Sequence, residues 1–151
     1  HCIAVDPYFI ISDYPHESKM IGKAREVNNY KSLWCAEKIR KEKLQFEINN
    51  KRKPKIALMG LAFKPNIDDL RESPAKYIAQ QVLQNSNDGD FFVVEPNIES
   101  HSIYKLTDFE EAYKKADIIA FLVAHRQFKN LKPSSEKIVL DFCGVFQQFT
   151  I

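Results

Sequence analysis

What this sequence has little of narrows it quickly. Only four glycines are present, at 22, 60, 89 and 144, and no two lie close together. The glycine-rich turn that lets backbone approach a dinucleotide pyrophosphate needs three within a few residues, so no such fingerprint can form here. Three cysteines, at 2, 35 and 143, make neither a CxxC pair nor a metal-ligand spacing. That sparse, odd set argues against a disulfide framework and fits reduced thiols in a cytoplasm. No apolar run approaches the roughly 18 residues of a membrane span, and no secretory leader is visible. Excess charge is missing too: 22 basic against 20 acidic residues leave a formal charge of +2, which makes no case for a nucleic-acid or membrane surface. The chain begins with His rather than Met and is expected to be a fragment of a longer protein.

What is present is a globular composition, 44% hydrophobic and 28% charged over 151 residues, enough for one core with an appendage. From His1 to Ile11 the chain reads as extended and apolar, since Pro7 biases Asp6 away from helix, and Ser12 to Pro15 reads as a turn. A long helix is expected from His16 to about Glu47, with Met20, Ala24, Val27 and Trp34 as its apolar stripe. Asn49 to Pro54 reads as a linker and the one domain boundary. Beyond it strands and helices alternate. Ile56 to Phe63 is a buried strand. Ser73 caps a helix with Pro74 at its first position, and Ala75, Ile78, Ala79, Val82 and Leu83 repeat at helical spacing. Asn85 to Asp90 is a turn and Phe91 to Val94 a second strand. Thr107 and Glu110 make a capping box for a helix whose Phe109, Ala112, Tyr113 and Ala116 face inward. Ile118 to Ala124 and Ile138 to Phe142 are further strands, separated by a loop that can hold a short helix. This order predicts an α/β fold, a Rossmann-like doubly wound parallel sheet with right-handed crossovers, preceded by a long helical segment.

A buried strand, a loop carrying Lys64, Asp68, Asp69 and Arg71, then a helix N-terminus is where open α/β sheets bind ligands. Lys64 there can help hold a phosphate, or be an exposed lysine at a strand end. Asp68 and Asp69 can serve as metal ligands or as a phosphoacceptor pocket, but acidic residues before a helix are favourable without any ligand. They are read as structural, paired with Arg71 or with backbone N–H. Cys35 beside Trp34 reads as packing. By residue type alone Cys2 is a small buried hydrophobe and Asp6 a turn residue. His16, His101 and His125 have no partner at a telling distance.

Two stretches carry a resemblance. Gly60-Leu61-Ala62-Phe63-Lys64-Pro65-Asn66-Ile67-Asp68-Asp69-Leu70-Arg71-Glu72-Ser73-Pro74-Ala75 resembles the C-terminal signature of the UDP-glucose/GDP-mannose dehydrogenase family. His1-Cys2-Ile3-Ala4-Val5-Asp6-Pro7-Tyr8-Phe9-Ile10 resembles the segment bearing that family's catalytic cysteine, in the form of the branch acting on UDP-N-acetyl-D-mannosamine. The resemblance implies an NAD-dependent four-electron oxidation of a sugar C6 alcohol to the carboxylate for surface polysaccharide. In it Cys2 is the nucleophile that passes through a thioester and Asp6 assists hydrolysis. Phe63 and Lys64 bind the UDP-sugar, and Arg71 reaches NAD, which is held mainly by an N-terminal domain absent here. The family often has Lys where Val5 stands, and a basic residue where Cys143 stands. Residues 1–53 would then be the end of a central helical, dimerising region, and 54–151 the UDP-sugar-binding domain. A homodimer or higher homo-oligomer through the central helix and a cytoplasmic location are implied, with no metal. UDP-glucose, UDP-N-acetylglucosamine or GDP-mannose as substrate, and a non-catalytic nucleotide-sugar-binding module, stay open as alternatives.

Overall fold

The computed structural model describes residues 2–84, 90–132 and 134–146. Its elements are α1 (Cys2–Asp13), α2 (Lys19–Asn50), β1 (Ile56–Met59), α3 (Pro74–Leu83), β2 (Phe91–Val94), α4 (Phe109–Lys115), β3 (Ile118–Phe121) and β4 (Ile138–Asp141). The four strands are parallel in the order β2-β1-β3-β4. The chain passes from β1 to one neighbour and then crosses to the other, the doubly wound arrangement expected from the alternation.

Strand periodicity sends successive residues to opposite faces. Ile56 and Leu58 join Ile118 and Ala120 on one face, beneath Ile78, Ala79 and Val82 of α3 and Cys35, Ala36 and Ile39 of α2. Ala57 and Met59 join Ile119 and Phe121 on the other, beneath Ala112 of α4 and Phe128 of the short 3-10 helix Arg126–Asn130. Every residue of β1 and β3 is buried, which is why both read as unbroken apolar runs rather than alternating ones. Ser73 caps α3 by accepting from Lys76 N–H, with Pro74 at the first helical position.

Five local expectations are corrected. The segment read as extended is helix α1, because the bias that Pro7 imposes on Asp6 is a preference and not a prohibition. Pro7 removes one helical N–H, and α1 is tied to α2 by Asn29 Nδ2, which donates to Tyr8 Oη at 2.9 Å. α1 runs into the expected turn, so the turn spans 15–18 rather than Ser12 to Pro15. The stripe on α2 is also different: Met20 and Val27 are 84% and 60% exposed. The buried face is Ser32, Cys35, Ala36 and Ile39, at helical spacing, but its small and polar members carry little hydrophobic signal. α4 is capped by Asp108, which accepts from Glu110 N–H and Glu111 N–H, rather than by Thr107, whose N–H bonds Val93 O at 2.9 Å. β1, β3 and β4 end earlier than read, and at β1 the cause is Gly60, whose φ of 97° breaks the extended run. Of the turn expected from Asn85 to Asp90, residues 85–89 lie outside the described residues.

Candidate functional site

A Cβ placed on Gly60 would lie 2.7 Å from Val123 Cβ, so only glycine lets β1 pass beneath β3's exit loop. The loop that leaves there, 61–73, starts at the switch point of the sheet, where β1 and β3 have their next neighbours on opposite sides. In nucleotide-binding sheets the first N–H groups after β1 receive a phosphate. Here Leu61 N–H and Ala62 N–H both donate to Glu95 Oε2, at 2.7 and 2.8 Å. Glu95 Oε1 accepts from Asn97 N–H and from its side-chain amide, each at 3.1 Å. Burial pushes the Glu95 carboxyl up, but hydrogen bonds from His125, Leu61 N–H and Asn97 N–H outweigh it and hold the group below its usual range.

After β4 the same device recurs. Asp141 Oδ1 accepts from the N–H groups of Cys143, Gly144 and Val145, and Oδ2 from that of Phe146. Burial raises this carboxyl and the four N–H groups win, leaving it lowered. Two backbone pockets for anions at the carboxyl end of the sheet are thus filled by the protein's own carboxylates. Side chains elsewhere remain available to meet a ligand phosphate. The residues present therefore do not form a pyrophosphate cradle for NAD.

Side chains for that purpose stand around a cleft of about 1110 Å³ on the α2–α3 side. Loop 61–73 contributes Phe63, Lys64, Leu70 and Glu72, and α3 contributes Lys76, Tyr77 and Gln80. α2 contributes Arg25, Asn28, Asn29 and Tyr30, and α1 contributes Ile3, Ala4 and Tyr8. Lys64 Nζ lies 5.8 Å from the Phe63 ring centre. The wall thus offers cations for phosphate and aromatic faces for a planar base. At the α1 side the Arg25 guanidinium lies over the Tyr8 ring at 5.4 Å, and hydrogen bonds from Asn29 and then Arg25 lower the Tyr8 hydroxyl's pKa.

Of the residues singled out in the sequence, Phe63 and Lys64 line this cleft together with Ile3 and Ala4, the neighbours of Cys2. Cys2 itself is exposed in the first turn of α1. Asp6, also exposed, is four positions on and so on the same helix face. Arg71 is not part of the cleft wall. It forms a two-pronged ion pair with Asp69, Nη2 to Oδ2 at 2.7 Å and Nε to Oδ1 at 3.1 Å, and Asp69 also accepts Arg71 N–H at 2.9 Å. The Arg71 bonds hold the Asp69 carboxyl at about 2. Cys35 is buried as packing. Burial, and then the charge of Asp141, push the Cys143 thiol up to about 12, a setting that disfavours the thiolate. Glu95 and His125 were not visible beforehand; only a charge directly after the apolar strand Phe91–Val94 marked one of them. Among the described residues no three His, Cys, Asp or Glu group as metal ligands, and no helix is long and apolar enough to cross a membrane.

Residues 57–148 match the model of the UDP-glucose/GDP-mannose dehydrogenase family, UDP binding domain. The UDP-N-acetyl-D-mannosamine dehydrogenase of Escherichia coli (strain K12) is 42% identical over 159 residues, covering 97% of this chain and 37% of that protein. The chain thus spans little more than a third of that curated relative. The structure of the UDP-N-acetyl-mannosamine dehydrogenase from S. aureus aligns over 92% of the chain and 31% of that protein, at 30% identity and a TM-score of 0.64. A GDP-mannose dehydrogenase structure from Pseudomonas aeruginosa covers all of the chain and 37% of that protein, at a TM-score of 0.72 and 21% identity, a likeness of fold alone.

Proposed function

The chain belongs to the UDP-glucose/GDP-mannose dehydrogenase family, and from that premise we propose that it is the UDP-sugar-binding, cysteine-bearing portion of an NAD-dependent UDP-N-acetyl-D-mannosamine 6-dehydrogenase. The observation that supports this reading is the cleft itself, whose wall holds Phe63 and Lys64 of the loop together with Ile3 and Ala4 of the helix that begins with Cys2. Lys64 and Lys76 meet the diphosphate, Phe63 and Tyr77 offer faces to the uracil, and the sugar extends toward α1. Cys2 sulfur adds to the C6 aldehyde, losing its proton and holding the carbon as a thiohemiacetal. After oxidation of that carbon to a thioester, Asp6 draws a proton from the water that releases the carboxylate and frees the thiol. Bound NAD would supply the hydride acceptor, and Arg71 would contact it.

Residues 1–53 act in this reading as the end of a dimerising helical region and 54–151 as the nucleotide-sugar domain. Exposed apolar side chains of α2 outside the cleft wall, such as Met20, are where two copies meet in a cytoplasmic homo-oligomer serving surface polysaccharide synthesis. Calorimetric titration of UDP into the chain tests the core of the proposal. Binding that weakens when Lys64→Ala is introduced is expected, and a folded chain indifferent to UDP refutes it. Alone, the chain is expected not to reduce NAD. Joined to an N-terminal half, it is expected to make the sugar acid, and Cys2→Ser is expected to abolish this while UDP binding persists. Acid formation unchanged by that substitution would leave a binding module instead.

A further inference from the structure

The proposed diphosphate contacts, Phe63 and Lys64, lie in the stretch 61–66 that opens the loop, and one buried pair holds this stretch on either side of them. On the near side, Leu61 N–H and Ala62 N–H donate to Glu95 Oε2. On the far side, Asn66 N–H donates to His125 Nδ1 at 3.0 Å, and Asn66 Oδ1 accepts from Arg126 N–H at 2.8 Å. The two anchors touch each other, with His125 Nε2 3.1 Å from Glu95 Oε2 and both side chains wholly buried.

A backbone N–H can only donate, so Nδ1 must be the unprotonated nitrogen and Nε2 carries the hydrogen that points at Glu95. Asn97 ties the pair once more, its side-chain amide lying 3.1 Å from Glu95 Oε1 and 2.8 Å from His125 Nδ1. Asn66, between the anchors and the neighbouring loop, holds a φ of 63°, a left-handed conformation that Asn tolerates better than most residues.

We propose that Glu95 and His125 are positioning residues that act as one clamp, bracketing Phe63 and Lys64 so that both side chains are presented to the cleft in a fixed geometry. The inference rests on the nucleotide reading of that cleft. Its physical content is coupling. A carboxylate with two loop N–H groups and an imidazole N–H on one oxygen cannot shift toward one partner without loosening the others, so the two sides of this stretch open together.

Two substitutions divide the clamp. His125→Gln keeps a donor facing Glu95 but removes the acceptor for Asn66 N–H; His125→Asn does the reverse. In the unsubstituted chain, amide exchange at Leu61, Ala62 and Asn66 is expected to report one shared opening, with protection equal within roughly threefold. In His125→Gln all three amides are expected to lose protection together. Loss at Asn66 alone overturns the clamp, and this comparison stands whether or not UDP binds. The functional half is read by a double-mutant cycle on UDP affinity. His125→Gln is expected to weaken binding roughly tenfold in the unsubstituted chain and less than twofold when Lys64 is already Ala. A merely structural role for His125 would make the two losses additive, and additivity overturns the proposal. If the unsubstituted chain fails to bind UDP, the nucleotide reading falls and the exchange comparison still decides the clamp. If His125→Gln fails to fold, the shared protection in the unsubstituted chain and the same cycle run with His125→Asn take its place.

Discussion

Replacing Gly60 with Ala tests the geometry from which the whole site departs. Three terms compete. Alanine restricts the unfolded chain and on that account stabilises by roughly 0.4–1 kcal/mol. Against this, the native φ of 97° is a conformation that costs an L-residue about 1–2 kcal/mol. The new methyl group also meets Val123 Cβ at 2.7 Å and Val123 backbone N at 3.1 Å, and neither is the far end of a flexible side chain. Such overpacking costs roughly 1–3 kcal/mol. The terms sum to a loss of about 1–4.6 kcal/mol, centred on about 3 kcal/mol, and that central value for a chain of this length lowers Tm by roughly 6–12 °C. Thermal melting followed by far-ultraviolet circular dichroism measures it. The strain and the contact separate in a cycle with Val123→Gly, which removes the struck atom: the Gly60→Ala loss should shrink in that background but not vanish. A Gly60→Ala chain melting within a degree or two of the original would refute the argument that β1 turns only because position 60 lacks a Cβ.

Other expectations concern charge and thiols. Lys64→Ala should weaken UDP binding tenfold or more, on the scale of about 1.5–3 kcal/mol for a hydrogen bond to a charged group, and should flatten the salt dependence of what remains. In the native chain at pH 8, Ellman's reagent should titrate one thiol quickly, the exposed Cys2, and reach all three only on denaturation, since Cys35 is buried and the Cys143 thiol is pushed up to about 12. Two fast thiols would contradict this. The Glu95, Asp117 and Asp141 carboxyls are all lowered in the fold. Their stabilising contribution is therefore complete above the unfolded pKa values, about 4, and is lost as pH falls through the lower folded values. The carboxylate share of stability should thus hold from pH 7 to 5 and fall below 4, on top of a loss that sets in below about 6.5 because burial and then the charge of Lys76 lower the His101 imidazole, and Asp141→Asn should shallow the fall below 4. Asp69 should titrate at about 2 by carboxyl NMR and rise toward an ordinary value in Arg71→Ala.

Much of the fold was legible because its signals are short-ranged. The α3 cap at Ser73-Pro74, the repeat from Ala75 to Val82 and the apolar cores of the four strands each declare themselves within a few residues, where caps and periodicity act. The errors fell where one local preference competed with another or with tertiary contact. Pro7 argued against helix, and α1 forms one anyway. On α2 the buried face is built from Ser32, Cys35 and Ala36, whose small side chains admit close packing while contributing almost nothing to a hydrophobic pattern. Asp108 outcompetes Thr107 as a cap because its carboxylate reaches two N–H groups at a helix end.

At the site the division is sharper. Phe63, Lys64 and the cysteine segment were singled out only through the family resemblance that their neighbouring residues carry, whereas the pairing of Asp69 with Arg71 needs only a two-residue reach. That the cysteine helix and the Phe63–Lys64 loop share a cleft depends on α2 crossing α3, which no window of sequence contains. The Glu95–His125 contact joins positions 30 apart and exists because β2 and β3 both lie beside β1, bringing their carboxyl ends to one place. Local rules act through neighbours three or four residues away; strand order decides which distant side chains become neighbours, and that is settled only when the sheet has closed around its core.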